Sequence, residues 1–208
     1  MPELGLFPLP IVLVPTERIP LHIFEPRYRE LIDECLEQGE EFGFVLSTGD
    51  GAVHEIGTRA AVAQVLEVLD DGSMNIVVEG GERFRLVDLT SGRSFTTGVV
   101  VPVEDDDEPP LETDVARATE VFRQLAEAAD SDVDVPDPQS PLFDFELAAR
   151  VDFGVDSKQE LLAMTSPRVR MKALIDLLET ALEALRLELT LRERASQNGK
   201  VAPLDPET

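Results

Sequence analysis

Four prolines, Pro8, Pro10, Pro15 and Pro20, fall in the stretch between Leu6 and Leu21 and constrain the fold more than any other feature. Each lacks a backbone donor, so none suits the middle of a central strand. The apolar pieces between them, Ile11 to Val14 and Leu21 to Phe24, are β-branched and aromatic enough for two short strands. Pro26 suits the first turn of a helix, where a missing N–H costs nothing. Tyr28, Leu31, Ile32, Cys35 and Leu36 then recur at helical spacing up to Gln38, and Gly39 follows as a C-terminal cap. Glu25 and Arg27 read first as residues that fix the start of this helix, with Glu25 favoured by the positive end of its dipole.

The next segments alternate in the manner of strands. Glu41 to Ser47 is one, and Gly49-Asp50-Gly51 turns the chain. A long strand follows from Gly57 to Leu69, with Ala60, Val62, Leu66 and Val68 on one parity. Asp71-Gly72 is a hairpin signal, and Met74, Ile76 and Val78 mark the return strand. Gly80-Gly81 predicts a further turn. Phe84 and Leu86 then alternate with Arg83 and Arg85, which predicts one buried and one wet face. After Ser91-Gly92, the residues Phe95, Thr97, Val99, Val101 and Val103 share a face.

Glu104 to Pro110, EDDDEPP, predicts an exposed break between a β-rich half and a helical half. Beyond it, Val115, Ala118, Phe122, Leu125 and Ala129 give an amphipathic helix, and 130–139 is a loop. Ser140-Pro141 predicts the start of a short helix, and Asp156 with Gln159 a capping box for the next. Ser166-Pro167 opens the longest helix, whose apolar face runs Met171, Leu174, Ile175, Leu178, Leu182, Leu185 and Leu189, widened by Leu177, Ala181 and Leu191. The expected architecture is α+β: a β-rich pseudo-barrel with one helix over 1–103, a helical bundle over 104–196 ending in a long helix, and a disordered tail over 197–208.

Charge and motif exclude several functions. Among 208 residues, 42 acidic side chains face 18 basic ones, a formal net charge of −24. A field of that sign repels phosphate backbones and anionic bilayers, so neither nucleic acid nor membrane is an expected partner. Lys158, Lys172 and Lys200 are followed by Gln, Ala and Val, so there is no phosphate-binding loop. Cys35, beside His22 or His54, has the atoms of a nucleophile and base. Its place on an apolar helix face instead predicts an inert buried thiol. Two histidines and one cysteine are a poor zinc set. The carboxylates of 105–108 and 130–134 lack the spacing of a calcium loop and read as solvated linkers. Asp152-Phe153-Gly154 lacks every other kinase element. No cofactor is expected. A lone cysteine, no apolar run long enough to span a bilayer and no basic leader predict a cytoplasmic protein.

Leu6-Phe7-Pro8-Leu9 and Leu21-His22-Ile23-Phe24-Glu25-Pro26-Arg27-Tyr28 resemble the opening of the Lon N-terminal domain, the substrate-binding domain of the Lon protease. Ile56-Gly57-Thr58 and then Gly80-Gly81-Glu82-Arg83-Phe84-Arg85, similar to that family's G-x-x-R-F turn, agree in order and spacing. The resemblance runs from about Leu4 to about Leu191, by pattern rather than motif in the helical half. It implies a β half similar to PUA-type domains, some of which bind RNA, although the charge argues against RNA here. It also implies recognition of unfolded or degradation-destined polypeptide in protein quality control, without catalysis, because the ATPase and Ser–Lys peptidase modules of Lon would lie beyond this chain. A protease or chaperone component is a further expected partner. An open edge near Ile11 to Val14 offers one route to peptide binding, with Ile11, Leu13, Phe24 and Tyr28 as expected lining residues. All four also fit a core. Two other classes stay open: an adaptor docking through its helical half, and a hydrolase with an unrecognised site.

Overall fold

Pro10 follows the end of one strand and Pro15 lies between strands, while Pro8 and Pro20 sit inside strands, in a computed structural model describing residues 3–49 and 51–198. Strands β1 (Glu3–Leu9) and β2 (Arg18–Ile23) lead into helix α1 (Pro26–Gln38). Strands β3 (Phe42–Leu46), β4 (Ile56–Val68), β5 (Met74–Thr90) and β6 (Thr97–Pro102) follow. Helices α2 (Glu112–Ala128), α3 (Phe143–Ala148), α4 (Val155–Ala163) and α5 (Pro167–Asn198) complete the α+β architecture. The sheet order is β2-β5-β4-β3-β1-β6, and an additional pairing of β5 with β6 closes five strands on themselves. The long β5 makes this possible: its second half pairs β6, while its first half carries β2.

Pro8 lies where β1 pairs only β3, because β6 pairs the Glu3–Gly5 end, and Pro20 lies in the edge strand β2. Each proline thus leaves no ladder bond missing on two sides. Ile11 to Val14 form no strand, contrary to expectation. Bracketed by Pro10 and Pro15, this segment satisfies its backbone with side chains instead. Thr58 Oγ1 donates to the Leu13 carbonyl at 2.6 Å, and the Val14 amide donates to the Glu17 carboxylate at 3.0 Å.

Gly80-Gly81 is not a turn, since β5 runs straight through it. Gly80 is needed because the 11–16 segment crosses there: Thr16 N donates to the Gly80 carbonyl at 2.7 Å, and a Cβ on Gly80 would collide with the Val14 carbonyl. The β6 face also differs from the sequence reading. Val100 is buried, while Val99 and Val101 are half-buried. Gly98, against which Leu6 and Leu86 pack closely, supplies no side chain to announce that parity.

Helix α1 begins at Pro26 and ends on Gly39 in the left-handed conformation, as expected. It closes the barrel with Tyr28, Leu31, Ile32 and Cys35 packed on Phe7, Phe42, Ile76 and Val78. Glu25 makes no capping bond and pairs with Arg27 at 2.8 Å instead. In the helical half, Arg117 meets Glu179 and Gln124 meets Arg186, so α2 and α5 run parallel. Ser140-Pro141 precedes α3 by a turn rather than starting it. The capping box is absent: Gly154 is the N-cap of α4, and Gln159 is buried, donating to the Ile56 carbonyl at 3.0 Å. Ser166 does accept from the Val169 amide at the start of α5. Met171, Leu174, Leu178 and Leu182 are buried as expected, whereas Leu191 projects to solvent beyond α2. Gln197 and Asn198 are still helical, and 199–208 of the expected tail, like Asp50 of the expected Gly49-Asp50-Gly51 turn, lie outside the described residues.

Candidate peptide-binding site

Of the residues expected to line a site, the structure keeps two inside. Leu13 is 1% exposed and Tyr28, tilted against Phe7 with 4.2 Å between ring centroids, is also buried. Both belong to the core around α1 and are not reachable from solvent. Ile11 and Phe24 are on the surface, and Phe24 is 62% exposed. The Phe24 ring stacks on His22, with 5.8 Å between centroids, on the outward side of β2. His22 Nδ1 is 2.8 Å from Asn75 Oδ1, and Asn75 donates to Glu67 at 3.2 Å, so a polar chain crosses β2, β5 and β4. Pro20, Leu21, Leu66 and Ile76 line a shallow cleft of about 580 Å³ around it.

An open edge lies on β4, whereas Ile11 to Val14 form no strand. Strand β3 pairs only with Thr58 to Ala60 of β4, because β3 spans 5 residues and β4 13. The outer part of β4 therefore has β5 on one side and no strand on the other. Every residue from Ala63 to Asp71 is exposed, whatever its parity. Val65, Leu66, Val68 and Leu69 stand in this run, Leu66 at 52% and Val68 at 64% exposure. Register shifts at Val62/Gln64 and Val65/Glu67 twist the strand, but no proline or lysine guards it. An unpaired row of N–H and C=O groups beside apolar side chains is a template for an added strand.

Burial, aided by Glu40 and Glu34, pushes the Cys35 thiol up to about 11, so the thiolate needed for attack is scarce at neutral pH. Among the described residues, no group of three or more His, Cys, Asp or Glu side chains could hold a metal.

The sequence reading missed one cluster altogether. Arg83 was expected on the wet face of its strand with Arg85, yet it is buried where helices cover the sheet. It donates to the carbonyls of Leu162 at 2.9 Å and Met164 at 2.7 Å and pairs with Asp105. Asp105 accepts again from Arg170 at 2.7 Å, and Arg170 Nε donates to Asp144 at 2.6 Å. Both guanidinium groups lie against the Phe145 ring, at 5.3 and 4.2 Å. Burial pushes Asp105 up, but the hydrogen bonds and charges of Arg170 and Arg83 outweigh it and hold its carboxyl below the usual range. Burial dominates at Asp144 and raises it. Asp105 is thus a bridge between the sheet and the helices rather than a solvated linker residue. Beside it, Pro15, Gly81, Val103 and Leu142 line a cleft of about 400 Å³.

Comparison with known proteins places this geometry. The family model of the ATP-dependent protease La (LON) substrate-binding domain matches residues 3–180. Lon protease 1 of Hydrogenovibrio crunogenus is 25% identical over 207 residues, covering 90% of this chain and 25% of that protein. The chain thus spans about a quarter of the length of the curated relatives it matches. A crystal structure of a Lon N-terminal domain protein from Xanthomonas campestris superposes with TM-score 0.68 at 27% identity, covering 85% of this chain and 98% of that one. The N-terminal domain of Mycobacterium avium complex Lon protease shares the fold, with TM-score 0.66 at 17% identity and 86% and 98% coverage.

Proposed function

The chain belongs to the Lon substrate-binding domain family, and from that premise we propose that it recognises extended, unfolded or degradation-destined polypeptide without itself catalysing a reaction. The observation that carries the reading is the outer half of β4, unpaired on the side away from β5, where Val65, Leu66, Val68 and the following Leu69 are all exposed. An extended segment pairing with this edge satisfies backbone groups on both sides, and its apolar side chains cover those of β4. Phe24, stacked on His22, offers a second apolar surface near the same projecting strands. Of the expected lining residues, the proposal keeps Phe24 and Ile11 as surface groups, and leaves Leu13 and Tyr28 to hold the fold beneath.

The reading extends to setting. The chain works in the cytoplasm, in protein quality control, alongside a protease or chaperone component that acts on what it binds. No helix among the described residues is long and apolar enough to cross a membrane. The net charge of −24 disfavours nucleic acid and anionic lipid as ligands.

The test is fluorescence anisotropy with labelled unfolded segments, apolar-rich and polar, beside ATPase and peptidase assays. Apolar-rich segments should bind and polar ones should not, with no turnover in either assay. Placing lysine on the edge, in Leu66→Lys with Val68→Lys, should weaken binding by about tenfold or more. Unchanged affinity in that variant would refute the site. A second reading has an observation of its own: Leu187 and Leu191 are exposed on α5 past its packing with α2. If those residues alone govern partner capture, the chain is an adaptor docking through its helices.

A further inference from the structure

We infer that the segment recognised at the edge of β4 is apolar in its middle and basic at its flanks. This inference rests on the edge-pairing reading above and adds the chemical class of the segment. The apolar centre follows from Val65, Leu66, Val68 and Leu69. The basic flanks follow from what surrounds them.

Helix α1 is tied to the β4–β5 turn at its start and leads to the middle of β4 at its end. At its start, Arg29 donates to the Asp71 carbonyl in the β4–β5 turn at 2.7 Å. At its end, the chain passes directly into β3, where Phe42 pairs with Ala60 at the middle of β4. Asp33, Leu36 and Glu37 follow Arg29 by 4, 7 and 8 positions and share its side of the helix. All three are exposed. From the strand comes Glu67, and from the turn after it Asp70 and Asp71, all exposed. An incoming strand therefore meets carboxylates on the helix and along the hairpin it joins.

Little positive charge offsets them. Arg29, held on the Asp71 carbonyl, is one cation against the five carboxylates of Asp33, Glu37, Glu67, Asp70 and Asp71, and Arg59 pairs with Glu41 at 3.7 Å. Among the described residues, no cation lies at ion-pair distance from Asp33, Glu37, Glu67 or Asp70. The first lysine of the chain is Lys158, which is in the helical half and pairs with Glu17 at 2.6 Å. Acidic flanks on a client are repelled here, and lysine or arginine flanks are attracted and steered. The same field opposes pairing of the edge with a second copy of this chain, since both carry −24.

The experiment uses three labelled segments with one valine- and phenylalanine-rich centre, flanked by lysine, glutamine or glutamate. Their binding is measured by anisotropy in low and high salt. The Lys-flanked segment should bind about tenfold tighter than the Glu-flanked one at low salt, and the gap should close to about twofold at high salt. The combined variant Asp33→Asn, Glu37→Gln, Asp70→Asn should narrow the low-salt gap and leave the Gln-flanked affinity unchanged. Equal binding of Lys- and Glu-flanked segments would overturn the charge inference while leaving the edge reading intact. Failure of all three segments to bind would overturn the edge reading itself. So would a dimer in sedimentation that Val68→Lys dissociates, because the edge would then be occupied by a second copy.

Discussion

Replacing Arg170 with methionine should be among the most damaging single changes in the molecule. Its guanidinium is 1% exposed and serves Asp105 through two nitrogens, Asp144 through Nε, and the Met164 carbonyl at 2.7 Å. Methionine fills much of the volume but strands Asp144, a buried carboxylate with no other cation at ion-pair distance among the described residues. Asp105 keeps Arg83. Breaking a buried pair from one side costs about 3–5 kcal/mol, a large share of the stability of a domain. Urea titration of wild type and variant reads this directly. The pH gives a second reading of the same cause. Burial already raises Asp144. Without Arg170 its folded state takes up a proton more readily still than the unfolded chain, so the variant's deficit should shrink as pH falls toward about 4. Removing the stranded charge as well, in Arg170→Met with Asp144→Leu, should recover at least about 1–2 kcal/mol over the single change. A single-variant loss below about 1 kcal/mol, or no recovery in the double variant, would refute the network as a joint between sheet and helices.

Three further outcomes are expected. Gly80→Ala should cost about 2 kcal/mol or more in the same titration, because its Cβ meets the Val14 backbone, whereas Gly81→Ala, 3.3 Å from the end of the Glu41 side chain, should fall within about 0.5 kcal/mol. Phe24→Ala should destabilise by less than about 1 kcal/mol, since the ring is already in water, yet should weaken binding of apolar-rich segments. The Cys35 thiol should resist thiol reagents at pH 8 until the protein unfolds; because its folded value is about 11 against an ordinary 9.0, stability should fall as pH rises through that interval, and Cys35→Ala should flatten the slope.

Much of this fold is legible where local pattern and tertiary role coincide. The apolar spacing of Tyr28, Leu31, Ile32 and Cys35, with Pro26 before and Gly39 after, gives α1 to the residue. Gly80-Gly81 misleads because a turn and a close backbone crossing ask for the same residue, and only the distant Val14 distinguishes them. Arg83 misleads in another way. Its parity does point off the barrel core, but the helical half covers that face and supplies Leu162 and Met164 as acceptors. One signal was present: Arg170 stands 4 residues before Leu174 and 8 before Leu178, on the buried stripe of α5, so a charge there must find a partner. The candidate site had a signal too. A strand as long as that of Gly57 to Leu69 beside one as short as Glu41 to Ser47 must project past it. Parity alone groups Leu66 and Val68 with Ala60 and Val62 and does not mark the first two as exposed.

Hydrogen exchange in the presence of an unfolded, apolar-rich polypeptide tests the central claim most directly. The amides of Ala63 to Leu69, unpaired on one side in the free protein, should exchange more slowly when the client is bound, since those pointing away from β5 gain acceptors in the added strand. Amides of α2 and α5 should be unaffected. Protection that appears instead around Leu187 and Leu191, with β4 unchanged, would contradict the account and move the binding surface to the helices.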